Sequence, residues 1–188
     1  MSTSDSSDAR PSNSLKVSRS RALMLGLFAW LVGVPVAHGV VPWAVSLLTR
    51  RCGWTDGVPG TWNLLGLIPI VAASAGLIWI MLTGFAHAGE MPEKVELNWD
   101  PKVLLVGGPY AFSRNPMYVA ELVLWLGWTL FYGSLAVLAG LLALGAGIAF
   151  LVPREEGALE ARFGETYRRY KAIVPRWLVL PQRRSDGA

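Results

Sequence analysis

The residues best suited to chemistry lie in two polar segments separated by an apolar stretch. The first is Gly107 to Tyr118, GGPYAFSRNPMY, and the second is the adjacent pair Glu155 and Glu156. The first segment supplies hydrogen-bond donors and aromatic faces, and the glutamates supply negative charge. If the fold brings the two segments together, they suit a ligand that carries a planar ring, a carboxylate, and a cation or ribose hydroxyls.

Each segment also has a purely structural interpretation. Asn115 is a favourable N-cap, Pro116 suits the first position of a helix, and Tyr118 is typical of a membrane interface. Arg114 can extend to lipid head groups. The two glutamates can stabilise a helix N-terminus by about 0.3 to 1 kcal/mol each. The residue types alone therefore support a ligand site and a structural role equally.

The glycines of the first segment are not explained by helix capping. Gly107 and Gly108 allow the backbone to approach a neighbouring group closely, and Pro109 favours a turn directly afterwards. The pattern predicts a loop whose backbone packs tightly against a neighbouring group.

Composition places the elements that position these segments in a membrane. Of 188 residues 53% are hydrophobic, and several long runs carry no charge, so we predict an all-α integral membrane protein with about four spans. The net charge of +4 is expected to set orientation, and no nucleic-acid partner is implied. Cys52 is the only cysteine, and His38 and His87 are far apart, so we expect no disulfide and no metal site.

The N-terminal part is expected to be a tail followed by two spans. Residues 1–20 are rich in Ser, Asp and Asn, which predicts a disordered cytoplasmic tail. Residues 21–85 would hold both spans: Ala22 to Leu48, kinked by its prolines, and Trp62 to Phe85 after a Gly-rich loop.

Residues 86–177 are expected to form the functional core, and 178–188 a second tail. A long polar loop from Ala86 to Asn115 precedes a helical hairpin with arms Met117 to Tyr132 and Leu135 to Val152. The hairpin would bring the two polar segments to one membrane surface. From Glu155 to Tyr170 the pattern predicts an amphipathic helix on the cytosolic surface, with one apolar face: Leu159, Phe163, Tyr167 and Tyr170.

Basic residues predict the orientation. With four spans, the basic residues of the two termini and of the long loop lie on one side, and only Arg50 and Arg51 lie on the other. We therefore expect a multi-pass protein with both termini and the site at the cytosolic face.

The two segments also resemble a known superfamily. GGPYAFSRNPMY, followed after a hairpin by EEGALEARFGETYRRYKAIVP, is similar to the membrane methyltransferases of the isoprenylcysteine carboxyl methyltransferase and phospholipid methyltransferase superfamily. The resemblance covers Lys102 to Trp177. It implies an S-adenosylmethionine cofactor held without a dinucleotide-binding domain, and a lipid or lipophilic small-molecule acceptor in the bilayer.

The resemblance also implies roles for individual residues. Glu155, Glu156 and Arg114 are the candidates for catalysis, with a glutamate as base if the acceptor needs deprotonation. The implied cofactor-binding residues are Lys102, Val103, Leu104, Leu105, Gly108, Tyr110, Asn115, Pro116, Met117, Tyr118 and Glu155.

Two positions depart from the prenylcysteine enzymes. Asn115 stands where those enzymes have histidine, and Leu151 stands where they have an arginine that serves the substrate. Both changes argue against a prenylcysteine substrate. The acceptor, the methylated atom and the oligomeric state stay open, and two alternatives remain: a sterol-type NADPH reductase of related fold, and a non-enzymatic membrane protein that retains the fold.

Overall fold

A computed structural model describes residues 16–90, 92–96 and 103–178. Lys102, most of the expected N-terminal tail and residues 179–188 lie outside this range. The described chain is mainly helical, and three of its helices are long and apolar enough to cross a bilayer: Arg19–Ser46, Thr61–Glu90 and Leu135–Phe163.

The first long helix, α1, runs through Arg19–Ser46. Its start lies within the tail that we predicted for residues 1–20, and Lys16–Ser18 (β1) just before it pairs with a later strand. Residues 16–20 of the predicted tail thus belong to β1 and to the start of α1. Ala29–Gly33 and Val36–Val40 are π-helical turns on either side of Pro35, whose ring is incompatible with a regular helix.

A short hairpin follows α1. Trp54–Thr55 (β2) pairs antiparallel with Val58–Pro59 (β3) around Asp56 and Gly57, both of which have positive φ. This is the geometry that an Asp-Gly turn favours. The hairpin leads into Thr61–Leu64 (α2) and then Leu67–Ala86 (α3), in agreement with the second predicted span.

The helix α3 packs closely against Pro116–Tyr132 (α4). A Cβ added to Gly66 would lie 2.5 Å from the carbonyl oxygen of Gly127, and one added to Gly127 would lie 2.9 Å from the amide nitrogen of Ile70. Small residues thus let the two backbones approach, as is common between membrane helices. The loop between them contains Lys94–Glu96 (β4), the partner of β1.

The predicted hairpin of helices is present, but its second arm is longer than expected. Gly133, with φ of 56°, ends α4, and Ser134 caps Leu135–Phe163 (α5). The helix does not stop at Val152. It continues through Pro153, where the side chain of Arg154 donates a hydrogen bond to the carbonyl of Phe150 over 2.8 Å.

The predicted amphipathic helix from Glu155 to Tyr170 is divided between two helices. Gly164, with φ of 53°, separates α5 from Glu165–Ile173 (α6). Its predicted apolar face nevertheless packs together with Leu104 and Val174 around a buried cluster. A break at glycine therefore changes the helix direction without dispersing the face.

Candidate active site

The loop before α4 is held against α3 by a glycine. Gly108 has φ of +60°, and a Cβ added there would lie 2.8 Å from Oγ1 of Thr83. The same addition at Gly107 would meet nothing within 4 Å. The close approach that the sequence predicted is therefore confirmed for Gly108, and its partner is the protein itself.

The two polar segments meet through Glu156. Oε1 of its buried carboxylate lies 3.3 Å from Nη2 of Arg114, and Oε2 lies 2.8 Å from Nη2 of Arg176. Nδ2 of Asn115 also donates to Oε1 over 3.3 Å. Asn115 thus occupies the N-cap position of α4, but its side chain joins α5 and makes no capping hydrogen bond. The predicted capping role is wrong because the hydrogen bonds that Nδ2 donates to Glu156 and to the carbonyl of Arg176 hold the side chain in another direction.

Glu155 has a different environment from its neighbour. Its exposed side chain accepts a hydrogen bond from the hydroxyl of Tyr118, with 2.7 Å between the two oxygens. Adjacent residues on a helix point about 100° apart, so one glutamate faces the interior and the other an open surface. Of the pair, Glu155 is the carboxylate that a ligand can reach.

The segment after α6 closes the other side of the loop. The carbonyl oxygen of Arg176 accepts hydrogen bonds from Oγ of Ser113 over 3.1 Å and from Nδ2 of Asn115 over 3.2 Å. The amide of Arg114 donates to the carbonyl of Pro175 over 2.9 Å. These bonds fix the start of α4 relative to the end of the described chain.

The pKa shifts of Arg176, Tyr110 and Tyr167 indicate the charge of each group in this region. Hydrogen bonding to Glu156 raises the pKa of Arg176, so the guanidinium stays charged. Burial raises the pKa of Tyr110, and it raises that of Tyr167 to about 12, so both phenols are neutral near pH 7. The hydroxyl of Tyr167 is buried and has no hydrogen-bond partner among the described residues.

Two cavities flank the start of α4. One, the Tyr110 cavity, has a volume of about 310 Å³ and is lined by Leu105, Tyr110 and Met117 together with residues of α1 and α3. The other, the Phe112 groove, has a volume of about 570 Å³ and an apolar lining from α3 and α4, closed at one end by Pro116 and Leu178. Both volumes fall within the range of small-molecule sites, about 300 to 1,000 Å³.

The residues predicted from sequence are distributed over these features. Leu104 packs in the cluster around Tyr167, and Val103 lies partly buried beside it in the chain. Gly108 lies against Thr83. The remaining predicted residues of the described range lie at the Glu156 network, at the Tyr118–Glu155 bond or on a cavity wall.

Sequence reasoning missed four contributors to this region. Arg176 and Ser113 hold the loop, and Tyr170 donates to the carbonyl oxygen of Tyr110 over 2.7 Å. Glu121 lies one helical turn beyond Tyr118. The Val-Pro pair that ends the second motif was a signal for Arg176, which follows it directly, but only a basic residue in a tail was counted there.

The long apolar helices and the joined motifs define a helical membrane protein with one polar site at the ends of α4 and α5. The phospholipid methyltransferase family matches residues 64–166, more than half of the chain, and the protein belongs to that family. This confirms the predicted superfamily and indicates a membrane methyltransferase. The match includes α3, which lies outside the residues that carry the sequence resemblance.

One relative and one negative result complete the comparison. The chain is similar to an uncharacterized protein of Haemophilus influenzae, with 46% identity over 63 residues. Those residues are 33% of this chain and the whole of the relative. No solved structure matches the chain.

Proposed function

We propose that the protein is an S-adenosylmethionine-dependent methyltransferase that acts on a lipid or lipophilic small molecule in the bilayer. Members of the family generally use this cofactor. The observation that carries the proposal is the 2.7 Å hydrogen bond between Tyr118 and Glu155, which joins the two motifs. Tyr118 directly follows Met117, which lines a cavity together with Tyr110.

The residues at this place fit the proposed cofactor. The walls of the Tyr110 cavity are apolar and aromatic, as adenine requires, and Tyr110 is neutral. A sulfonium is stabilised by aromatic faces and by nearby negative charge, which Tyr118 and the exposed Glu155 supply. When bound, the cofactor supplies an electrophilic methyl group.

The remaining predicted residues take supporting roles in this proposal. Leu105 lines the Tyr110 cavity, Pro116 lines the Phe112 groove, and Gly108 holds the loop close to α3. Leu104 holds the loop to the cluster around Tyr167, and Val103 precedes it in the chain. Asn115 presents the first turn of α4 in one fixed direction, because both hydrogens of its amide are engaged. Lys102 remains a candidate from the sequence resemblance alone.

Arg114 and Glu156, which the resemblance offered as catalytic residues, are better suited to positioning. Each is nearly inaccessible, with 8% and 4% of the side chain exposed, and they neutralise one another. A carboxylate held by two guanidinium groups is a poor base. Glu155 is therefore the stronger candidate if the acceptor has to lose a proton.

We place the acceptor's hydrocarbon in the Phe112 groove. Its walls are apolar, and Ile80 lines both this groove and the Tyr110 cavity, so a lipid tail here would have its head group close to the cofactor. Excluding water from this region would also protect the reaction. In this proposal α4 is a fourth span and the site faces the cytosol, as the basic residues predict.

The direct test is transfer of a radiolabelled methyl group from S-adenosylmethionine into a total lipid extract, followed by identification of the labelled species. We expect a labelled lipid with the native chain and a large loss of label with Glu155→Gln. Transfer that needs neither Tyr118 nor Glu155 would refute the assigned site. Cofactor binding without any labelled lipid would instead refute the acceptor class.

A further inference from the structure

A second polar pair joins α1 to α4, and its glutamate lies one helical turn beyond Tyr118. Nε2 of His38 on α1 is 3.7 Å from Oε1 of Glu121 on α4, and their side chains are 15% and 16% exposed. The indole nitrogen of Trp128 donates to the backbone carbonyl of His38 and fixes α1 against α4 at this level. Ionisable residues inside a membrane bundle are costly, and those that occur usually have a function.

The helix that carries His38 is widened there. The π-helical segment Val36–Val40 includes the histidine, and the segment Ala29–Gly33 precedes it by one turn. Single π-helical turns are frequent at functional sites. They border a cavity of about 410 Å³, the His38 cavity, whose walls come from α1, α3 and α4 and are otherwise almost wholly apolar.

His38 offers a hydrogen-bond acceptor to the cavity. When Nε2 of His38 carries the proton and faces the ionised carboxylate of Glu121, Nδ1 of the neutral imidazole is left as an acceptor. Nδ1 is buried and has no partner among the described residues. A ligand that complements this tautomer donates a hydrogen bond to Nδ1.

We propose that the His38 cavity binds a lipophilic molecule with a single hydrogen-bond-donating end, an aliphatic alcohol or amine, and that His38 holds this end while Glu121, which lies outside the cavity wall, orients the imidazole. The apolar walls take the hydrocarbon, and Nδ1 of His38 takes the O–H or N–H group. An ionised fatty acid of equal length should bind more weakly, because its carboxylate has no hydrogen to donate to Nδ1.

This inference does not depend on methyl transfer. Trp30 and Met81 line both the His38 cavity and the Tyr110 cavity, so the two spaces adjoin. Binding at His38 can nevertheless be measured without cofactor, and its outcome is separate from that of the proposed reaction.

The test uses the full chain in phosphatidylcholine nanodiscs and three terminally brominated probes with the same tail: decanol, decylamine and decanoate. Bromine quenches nearby tryptophan fluorescence, and Trp30 and Trp128 line the cavity. We expect saturable quenching by the alcohol and the amine, reversed by the unbrominated compounds, above a linear background from partition into lipid. Decanoate should show the background only.

Substitutions in and away from the His38 cavity test where the probes bind. Gly39 lines the cavity, and a Cβ added there meets nothing within 4 Å, so Gly39→Leu should fill the space and abolish saturable quenching. Gly147→Leu on α5, at a glycine with the same free space, is the matched control. Glu121→Gln should weaken binding about tenfold, because the charged partner that orients the imidazole of His38 is lost, whereas Glu160→Gln should not.

Three results would overturn the proposal: equal saturable binding of decanoate, saturable binding that Gly39→Leu leaves unchanged, or absence of saturable quenching by both the alcohol and the amine. If Glu121→Gln does not fold, the ligand series and the Gly39 variant still decide the question.

Discussion

Nδ2 of Asn115 donates to Oε1 of Glu156 over 3.3 Å, and this bond ties the start of α4 to the cytosol-proximal end that we propose for α5. The two residues are 41 positions apart in the chain. The hairpin between them brings them together, and Arg114 and Arg176 neutralise the carboxylate at the contact.

The first prediction concerns stability. Glu156→Gln leaves Arg114 buried without its counter-charge and should lower the free energy of unfolding by about 3 kcal/mol. Glu160→Gln on the same helix removes only exposed ion pairs and should cost less than about 1 kcal/mol. Denaturant unfolding of both variants in detergent makes the comparison. Equal losses of free energy would argue against a stabilising role for the buried ion pair of Glu156 and Arg114.

The second prediction separates the adjacent glutamates. Glu155→Gln should barely change stability, because Glu155 is exposed, but it should weaken S-adenosylmethionine binding by about 1 to 3 kcal/mol. Tyr118→Phe should weaken binding as well, and the double variant should lose less than the sum, because the two side chains share a hydrogen bond. Strictly additive losses would show that Tyr118 and Glu155 act independently.

The third prediction tests the glycine loop. Gly108→Ala imposes a left-handed φ on alanine, at a cost of about 1 to 2 kcal/mol, and pushes Cβ into the side chain of Thr83. Gly107→Ala, with an ordinary φ of −101° and open space, should be tolerated. Combining Gly108→Ala with Thr83→Ala should recover only the stability that was lost through the clash with Thr83, and the cost of the left-handed φ should remain. Thermal unfolding measures all three, and similar melting temperatures for the two single variants would contradict the structure.

The fourth prediction concerns the buried phenol of Tyr167. Since its hydroxyl has no partner among the described residues, Tyr167→Phe should stabilise the protein by up to about 1 kcal/mol near pH 7. Its pKa is raised to about 12 from 10, so its contribution to stability is complete below pH 10 and is lost as the pH rises toward 12. The variant should therefore lose less stability over this interval. Greater alkaline sensitivity than the native chain would refute the assignment.

The sequence predicts that the two motifs meet, but it does not predict which of Glu155 and Glu156 is buried and which is exposed. Two apolar arms joined by Gly133 and Ser134 have to return the chain to its starting surface. Which glutamate then faces inward depends on the phase of α5, and we expected the helix to end at Val152. Because it continues through Pro153, Glu156 turns into the bundle and Glu155 turns out.

Other features of the site depend on tertiary competition that a local pattern does not reveal. An asparagine before Pro116 favours capping, yet the amide of Asn115 is taken by Glu156 and by the carbonyl of Arg176. His38 lies in the first predicted span, and its partner Glu121 lies 83 residues away in an apolar helix where the sequence alone gives no pairing signal.

The measurement that tests the central claim most directly is a calorimetric titration of the purified chain with S-adenosylmethionine and, separately, with NADPH. The account predicts saturable binding of S-adenosylmethionine that Glu155→Gln weakens, and no binding of NADPH. Binding of NADPH without any heat from S-adenosylmethionine would contradict it and favour a reductase of related fold.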